Sequence, residues 1–171
     1  MGLIVILGLA ASLFYGASDF LGAFSARRLT VLKASTAIYV AATLAVGIAL
    51  AFTPWTLSTD ALVGGSVAGA FAAAGMVAFY AALAIGPMSL LAPLISLIQT
   101  AIPVVVAAAI GESLAPVVWV AVAIAILATT LISVPAGSTV ERISPRGGLL
   151  ALVAGVALGL SVVALNTAPP A

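Results

Sequence analysis

Six runs of roughly 20 mainly apolar residues fill almost the whole of this 171-residue chain. Each is long enough to cross the hydrocarbon core of a bilayer as a helix. They span residues 2–26, 34–52, 61–85, 89–110, 116–135 and 148–164. A soluble domain carries about 25% charged residues, and this chain carries 5%, too few to cover a surface facing water. A membrane β-barrel would show strands alternating polar and apolar residues, and these runs do not alternate. The pattern therefore predicts an all-α fold, a polytopic bundle of transmembrane helices. Its partner is the lipid bilayer itself.

The separators are short: "RRLTVLK", "TPWTLSTD", "GPM", "GESLA" and the longer "AGSTVERISPRG". They make consecutive helices antiparallel neighbours and leave no room for a soluble domain. The first run has no basic stretch before it and exceeds the core of a signal peptide, so it reads as a retained span. The Lys and Arg residues (Arg27, Arg28, Lys33, Arg142 and Arg146) fall in the first and fifth separators, while the second and fourth carry Asp60 and Glu112. The positive-inside rule then places the basic connections in the cytoplasm and the N-terminus outside. Trp55 and Trp119 suit the aromatic belts at the membrane surfaces.

The composition also excludes chemistry. There is no Cys and no His, which removes disulfides, thiol nucleophiles, histidine bases and the usual zinc ligands. Aspartyl intramembrane proteolysis needs two facing aspartates, and Asp60 reads as a connection residue. No enzyme activity, cofactor or metal is therefore expected. A net charge of +1 leaves no basic face for a nucleic acid. No phosphate-binding GxxxxGK[ST] motif is present either, so active transport would draw on a gradient.

Polar residues inside the spans stand out. In the first helix Gly8, Ser12, Tyr15, Asp19, Gly22 and Ala26 are spaced 4, 3, 4, 3 and 4 apart and share one face. Asp19 is costly in hydrocarbon. It lines a polar cavity, or it sits at the interface and offsets Arg27 and Arg28. In the third helix Gly65 and Gly69 form GxxxG, a packing pattern for close helix approach. Tyr80, near its far end, lines a cavity or anchors at the interface. The fourth helix holds Pro93 and Pro103, which kink it and free the carbonyls of Ser89 and Gln99. Ser96, Gln99 and Pro103 fall on one face with Thr100 beside them. Interrupted helices with polar side chains line binding sites in many transporters. Glu112 is expected at the interface, serving the dipole of the fifth helix.

Two stretches resemble a known family. "ASLFYGASDFLGAFSARRL" is similar to the first helix of EamA-type members of the drug/metabolite transporter superfamily. "FYAALAIGPMSLLAPLISLIQTAIPVVVAAAIGESLAPVVWVAVAIAILATTLIS" is similar to the end of their five-helix repeat. The resemblance rests on Tyr80 closing the third helix, the connection "GPMS", a proline midway through the fourth helix and Gly111–Glu112 before the fifth. It implies two inverted repeats of five helices in the cytoplasmic membrane, moving small organic solutes by alternating access. Residues 1–135 would be the first EamA-like repeat, 136–147 a basic loop, and 148–171 the start of a truncated second repeat. Shifted by 143 residues, Gly16 and Ser18 align with Gly159 and Ser161. The resemblance further implies a central cavity lined by Tyr15, Asp19, Tyr80 and Gln99. If transport is coupled to protons, Asp19 is the best candidate, because protonation would remove its desolvation penalty. The resemblance places the N-terminus in the cytoplasm, opposite to the loop charges. The other reading of the chain is a nonfunctional fragment, or a membrane subunit that pairs with a second half or a second copy of itself.

Overall fold

The computed structural model describes residues 2–52, 58–132 and 143–167. Among them are six helices and no strand: α1 (Gly2–Arg28), α2 (Val31–Leu50), α3 (Thr59–Ile85), α4 (Met88–Ala109), α5 (Pro116–Ile132) and α6 (Pro145–Thr167). All but α5 are long and apolar enough to cross a membrane. The expected end of the fifth run at Pro135 lies outside the described residues, as do Trp55 and Arg142.

Helix ends depart from expectation by a few residues. The first connection shrinks to Leu29 and Thr30, so Arg27 and Arg28 belong to α1 and Lys33 to the first turn of α2. α6 begins at Pro145 rather than Gly148. Ser144 Oγ accepts a hydrogen bond from the Gly147 amide (3.1 Å), and Pro145 takes the first helical position, where its missing N–H costs nothing. Ser58 caps α3 the same way, accepting from the Ala61 amide (3.1 Å).

The helices converge at the basic end. Ala23 and Ala26 of α1, Ala34 of α2, the Ala78–Leu83 stretch of α3, Leu91 and Ile95 of α4, and Ala151 and Ala154 of α6 form one buried cluster. Arg27 fastens it: Nε donates to the Leu83 carbonyl (3.0 Å) and Nη2 to the Gly86 carbonyl (2.7 Å). These carbonyls end α3, where the last turn lacks intrahelical donors and the helix dipole is negative. Arg28 lies 4.7 Å over the Phe24 ring. Toward the other end α1 and α2 diverge. Leu9, Leu13 and Phe14 on α1 and Leu44, Val46 and Ile48 on α2 are exposed. Such a surface suits lipid tails, which are as apolar as leucine.

The most extensive packing brings α6 into the groove between α3 and α4. Small residues make that approach close. A Cβ on Gly155 would sit 2.6 Å from Ile98 Cβ, one on Gly159 2.6 Å from Ile102 Cβ, and one on Gly75 2.8 Å from Leu158 Cγ. The expected packing pair Gly65 and Gly69 is not at this contact; both are exposed and face open space. They lie on the side of α3 turned away from α6, whereas Ala68, Gly75, Ala78 and Ala82 are buried.

Candidate functional site

The α1 stripe divides along its length. Gly22 is buried against Tyr80: a Cβ there would lie 2.5 Å from the ring edge and the hydroxyl. One turn earlier, Asp19 is half-buried on the same face of α1. Two turns earlier the stripe leaves the bundle. Tyr15 is 75% exposed, and Ser12 is exposed with its hydroxyl donating to its own helix at the Gly8 carbonyl (2.9 Å). The structure thus brings Asp19 and Tyr80 together and leaves Ser12 and Tyr15 facing outward.

Asp19 is eight residues from Arg27, about 12 Å along the helix axis. The hydrocarbon core is about 30 Å thick. With Arg27 at the interface, Asp19 lies near the middle of the bilayer. Arg27 is engaged by the α3 carbonyls and Arg28 by Phe24, so neither pairs with Asp19. Tyr80 is 1% exposed, its ring edge-on to Phe79 at 5.3 Å. Its hydroxyl is buried with no hydrogen-bond partner among the described residues. A buried, unpaired hydroxyl costs about 1–3 kcal/mol, and here the nearest ionisable group on α1, Asp19, lies one helical turn from the Gly22 contact.

The polar residues of α4 also part company. Thr100 is exposed, donates to the Ser96 carbonyl (2.8 Å), and lines a cleft of about 340 Å³ between α4 and α5. Ser96 is exposed, and Gln99 is half-buried. Pro103 deprives the Gln99 carbonyl of its helical donor, and this oxygen faces α6, 3.0 Å from the Cβ position of Gly159. The hydrogen occupying that position points at the freed oxygen, a weak Cα–H···O contact. The carbonyl that Pro103 frees is thus met by a neighbouring helix. Among the described residues α1 and α4 share no extensive packing, and Tyr15 is exposed, so Tyr15, Asp19, Tyr80 and Gln99 are not packed together.

Two polar features differ from what the sequence suggests: one carries no motif singled out above, and the other, Glu112, is placed differently. Tyr39 on α2 donates to the Ala72 carbonyl of α3 (2.9 Å). Beside it, Ser35, Thr36 and Thr43 line a cleft of about 400 Å³ between α2 and α3, and the buried Ser35 hydroxyl has no partner. The "STxxYxxxT" spacing places them on one helix face and was the available signal. The second feature is Glu112. It does not enter the first turn of α5; it follows α4, in a cleft of about 500 Å³ between α4 and α6. Gly111, at φ 85°, ends α4 in a left-handed turn. Its amide donates to the Ala108 carbonyl (3.2 Å) and that of Glu112 to the Ala107 carbonyl (3.0 Å), the paired bonds of a Schellman cap. Gly111→Ala is expected to cost about 1–2 kcal/mol, read as a lower unfolding midpoint in detergent; an unchanged midpoint would mean the turn tolerates a side chain.

Among the described residues no three His, Cys, Asp or Glu side chains gather to hold a metal. The fold and these buried polar groups define a multi-pass helical membrane protein. No protein-family model, curated protein or solved structure matches the chain.

Proposed function

We propose that this protein is a transporter of small organic solutes in the cytoplasmic membrane, working by alternating access and coupled to protons through Asp19. The observation that carries the proposal is Asp19 itself: a half-buried carboxylate near mid-membrane, without an ion pair, beside a buried hydroxyl that has no partner. Ionisable groups at such depth are expensive and mark ion or substrate pathways. Protonation removes the desolvation penalty of the carboxylate, which lets one residue couple proton occupancy to a change of conformation. The resemblance of residues 11–29 and 79–133 to EamA-type transporters supports the same reading.

The outward-facing half of the stripe favours a site completed by a second helical bundle. Ser12 and Tyr15 are exposed, and Gly8 and Gly16 face open space. A second copy of the chain, or a second half, would meet this face. The test is uptake of labelled amino acids, nucleosides and aromatic amines into proteoliposomes under an imposed proton gradient. Wild-type protein should accumulate at least one of these, and Asp19→Asn should lose the dependence on the gradient. Accumulation by Asp19→Asn with the wild-type pH dependence would remove Asp19 from the mechanism.

The orientation follows the charges. Arg27, Arg28, Lys33 and Arg146 sit at the end where the helices converge, and Asp60 and Glu112 at the other. With the basic end in the cytoplasm, a periplasm-dependent reporter fused after Ser113 should be active and one fused after Thr30 inactive. The reverse pattern would invert the topology.

A further inference from the structure

We propose that the cleft between the C-terminal ends of α4 and α6 binds a primary ammonium carried on an apolar body. Glu112 takes the charge, and the Asn166 carboxamide oxygen accepts a further hydrogen bond. The cleft encloses about 500 Å³, with walls that include Pro103, Val106, Ile110 and Val162. Ligand sites are commonly of this kind: apolar walls with a few polar groups that set orientation.

The electrostatics select the sign. Glu112 is exposed and has no cationic partner; the described cations Arg27, Arg28, Lys33 and Arg146 all lie at the opposite end of the bundle. α4 and α6 both end at the cleft, and helix C-termini carry partial negative charge that favours a cation. The Schellman turn at Gly111 fixes the backbone from which Glu112 projects. The donor set selects the class. One carboxylate and one amide fall well short of the six or more oxygens that Ca²⁺ requires. A sugar would need more hydrogen-bonding groups than these walls offer. No aromatic side chain lines the cleft, so it lacks the cage that favours a quaternary ammonium. A primary ammonium has three N–H donors, enough for the carboxylate and the carboxamide together.

The same chemistry occurs on a free amine and on an ethanolamine lipid headgroup, and one experiment separates them. Phenethylammonium is titrated calorimetrically into the full chain, first in uncharged maltoside micelles and then in nanodiscs with and without phosphatidylethanolamine. Saturable binding is expected in micelles. It should weaken about fivefold in Glu112→Gln, the scale expected for one partly exposed charge pair aided by helix dipoles, and should fall as salt rises. The neutral 2-phenylethanol should bind wild type at least as much more weakly, a comparison that needs no variant. Competition by phosphatidylethanolamine assigns the site to the headgroup, and its absence to a free amine. Equal binding by Glu112→Gln, equal binding of the alcohol, or no saturable binding overturns the proposal. Binding is read at equilibrium, so it stands or falls separately from solute uptake through Asp19.

Discussion

Gly159→Leu should separate α6 from α4 and strongly destabilise the bundle, while Gly69→Leu should leave it intact. The Cβ of a residue at 159 would lie 2.6 Å from Ile102 Cβ and 3.0 Å from the Gln99 carbonyl. Neither neighbour can step aside. An isoleucine Cβ is fixed to its own backbone, and the Gln99 carbonyl is part of the α4 helix. Overpacking of this kind costs about 1–3 kcal/mol for added methylenes, and a leucine adds more volume than that. The substitution also withdraws the Cα–H contact from the carbonyl that Pro103 leaves unpaired, worth about 0.5–1 kcal/mol. Inside a membrane, lipid offers no hydrophobic force to hold helices together, so lost close packing is not replaced. Gly69 has nothing within 4 Å of its Cβ position. Unfolding by increasing fractions of denaturing detergent, followed by circular dichroism, measures both variants. Equal midpoints for Gly159→Leu and wild type would mean that α6 does not dock where the structure places it.

Tyr80→Phe should do two things that usually oppose one another: raise stability and lower transport. The ring is 1% exposed, packed on Gly22 and edge-on to Phe79, and phenylalanine keeps all of that. Only the hydroxyl is removed, and it is buried without a partner. Removing such a group relieves about 1–3 kcal/mol of desolvation. The unfolding midpoint should therefore rise. Groups kept at a cost to stability tend to serve function, and this one packs on α1 one turn from Asp19. Proton-dependent uptake should fall by tenfold or more if the hydroxyl helps hold the proton or solute there. Higher stability with undiminished uptake would reduce Tyr80 to a packing residue.

Helix number and the apolar surface were legible because both follow from run length and charge spacing, which are local properties. The caps were equally local. Ser58 and the Ser144–Pro145 pair carry standard helix-start signals, and apolar run length alone does not register them. Which glycines pack was not legible. Gly65–Gly69 and Gly155–Gly159 are the same motif, and only a partner distinguishes them: α4 offers Ile98 and Ile102 as fixed ridges to the second pair and nothing to the first. The α1 stripe had the same limit. Periodicity places Ser12, Tyr15 and Asp19 on one face, but tertiary contacts decide how much of that face is covered. α1 is held to α3 at Gly22, against Tyr80, and at Arg27, which reaches the end of α3; Ser12 and Tyr15 lie beyond these contacts and are exposed. The clefts also depend on tertiary packing, so Glu112 could be read as charged and terminal but not as part of a cavity.

The proposal that Asp19, near Tyr80, carries a proton can be tested without knowing the solute. Infrared difference spectroscopy of the protein in membranes resolves the carbonyl band of a protonated carboxyl, and Asp19→Asn assigns it. Asp19 should show a band that disappears reversibly as pH rises and shifts in Tyr80→Phe, because the hydroxyl is its neighbour. A band that neither titrates nor responds to the loss of the Tyr80 hydroxyl would contradict a proton-coupling role for this pair.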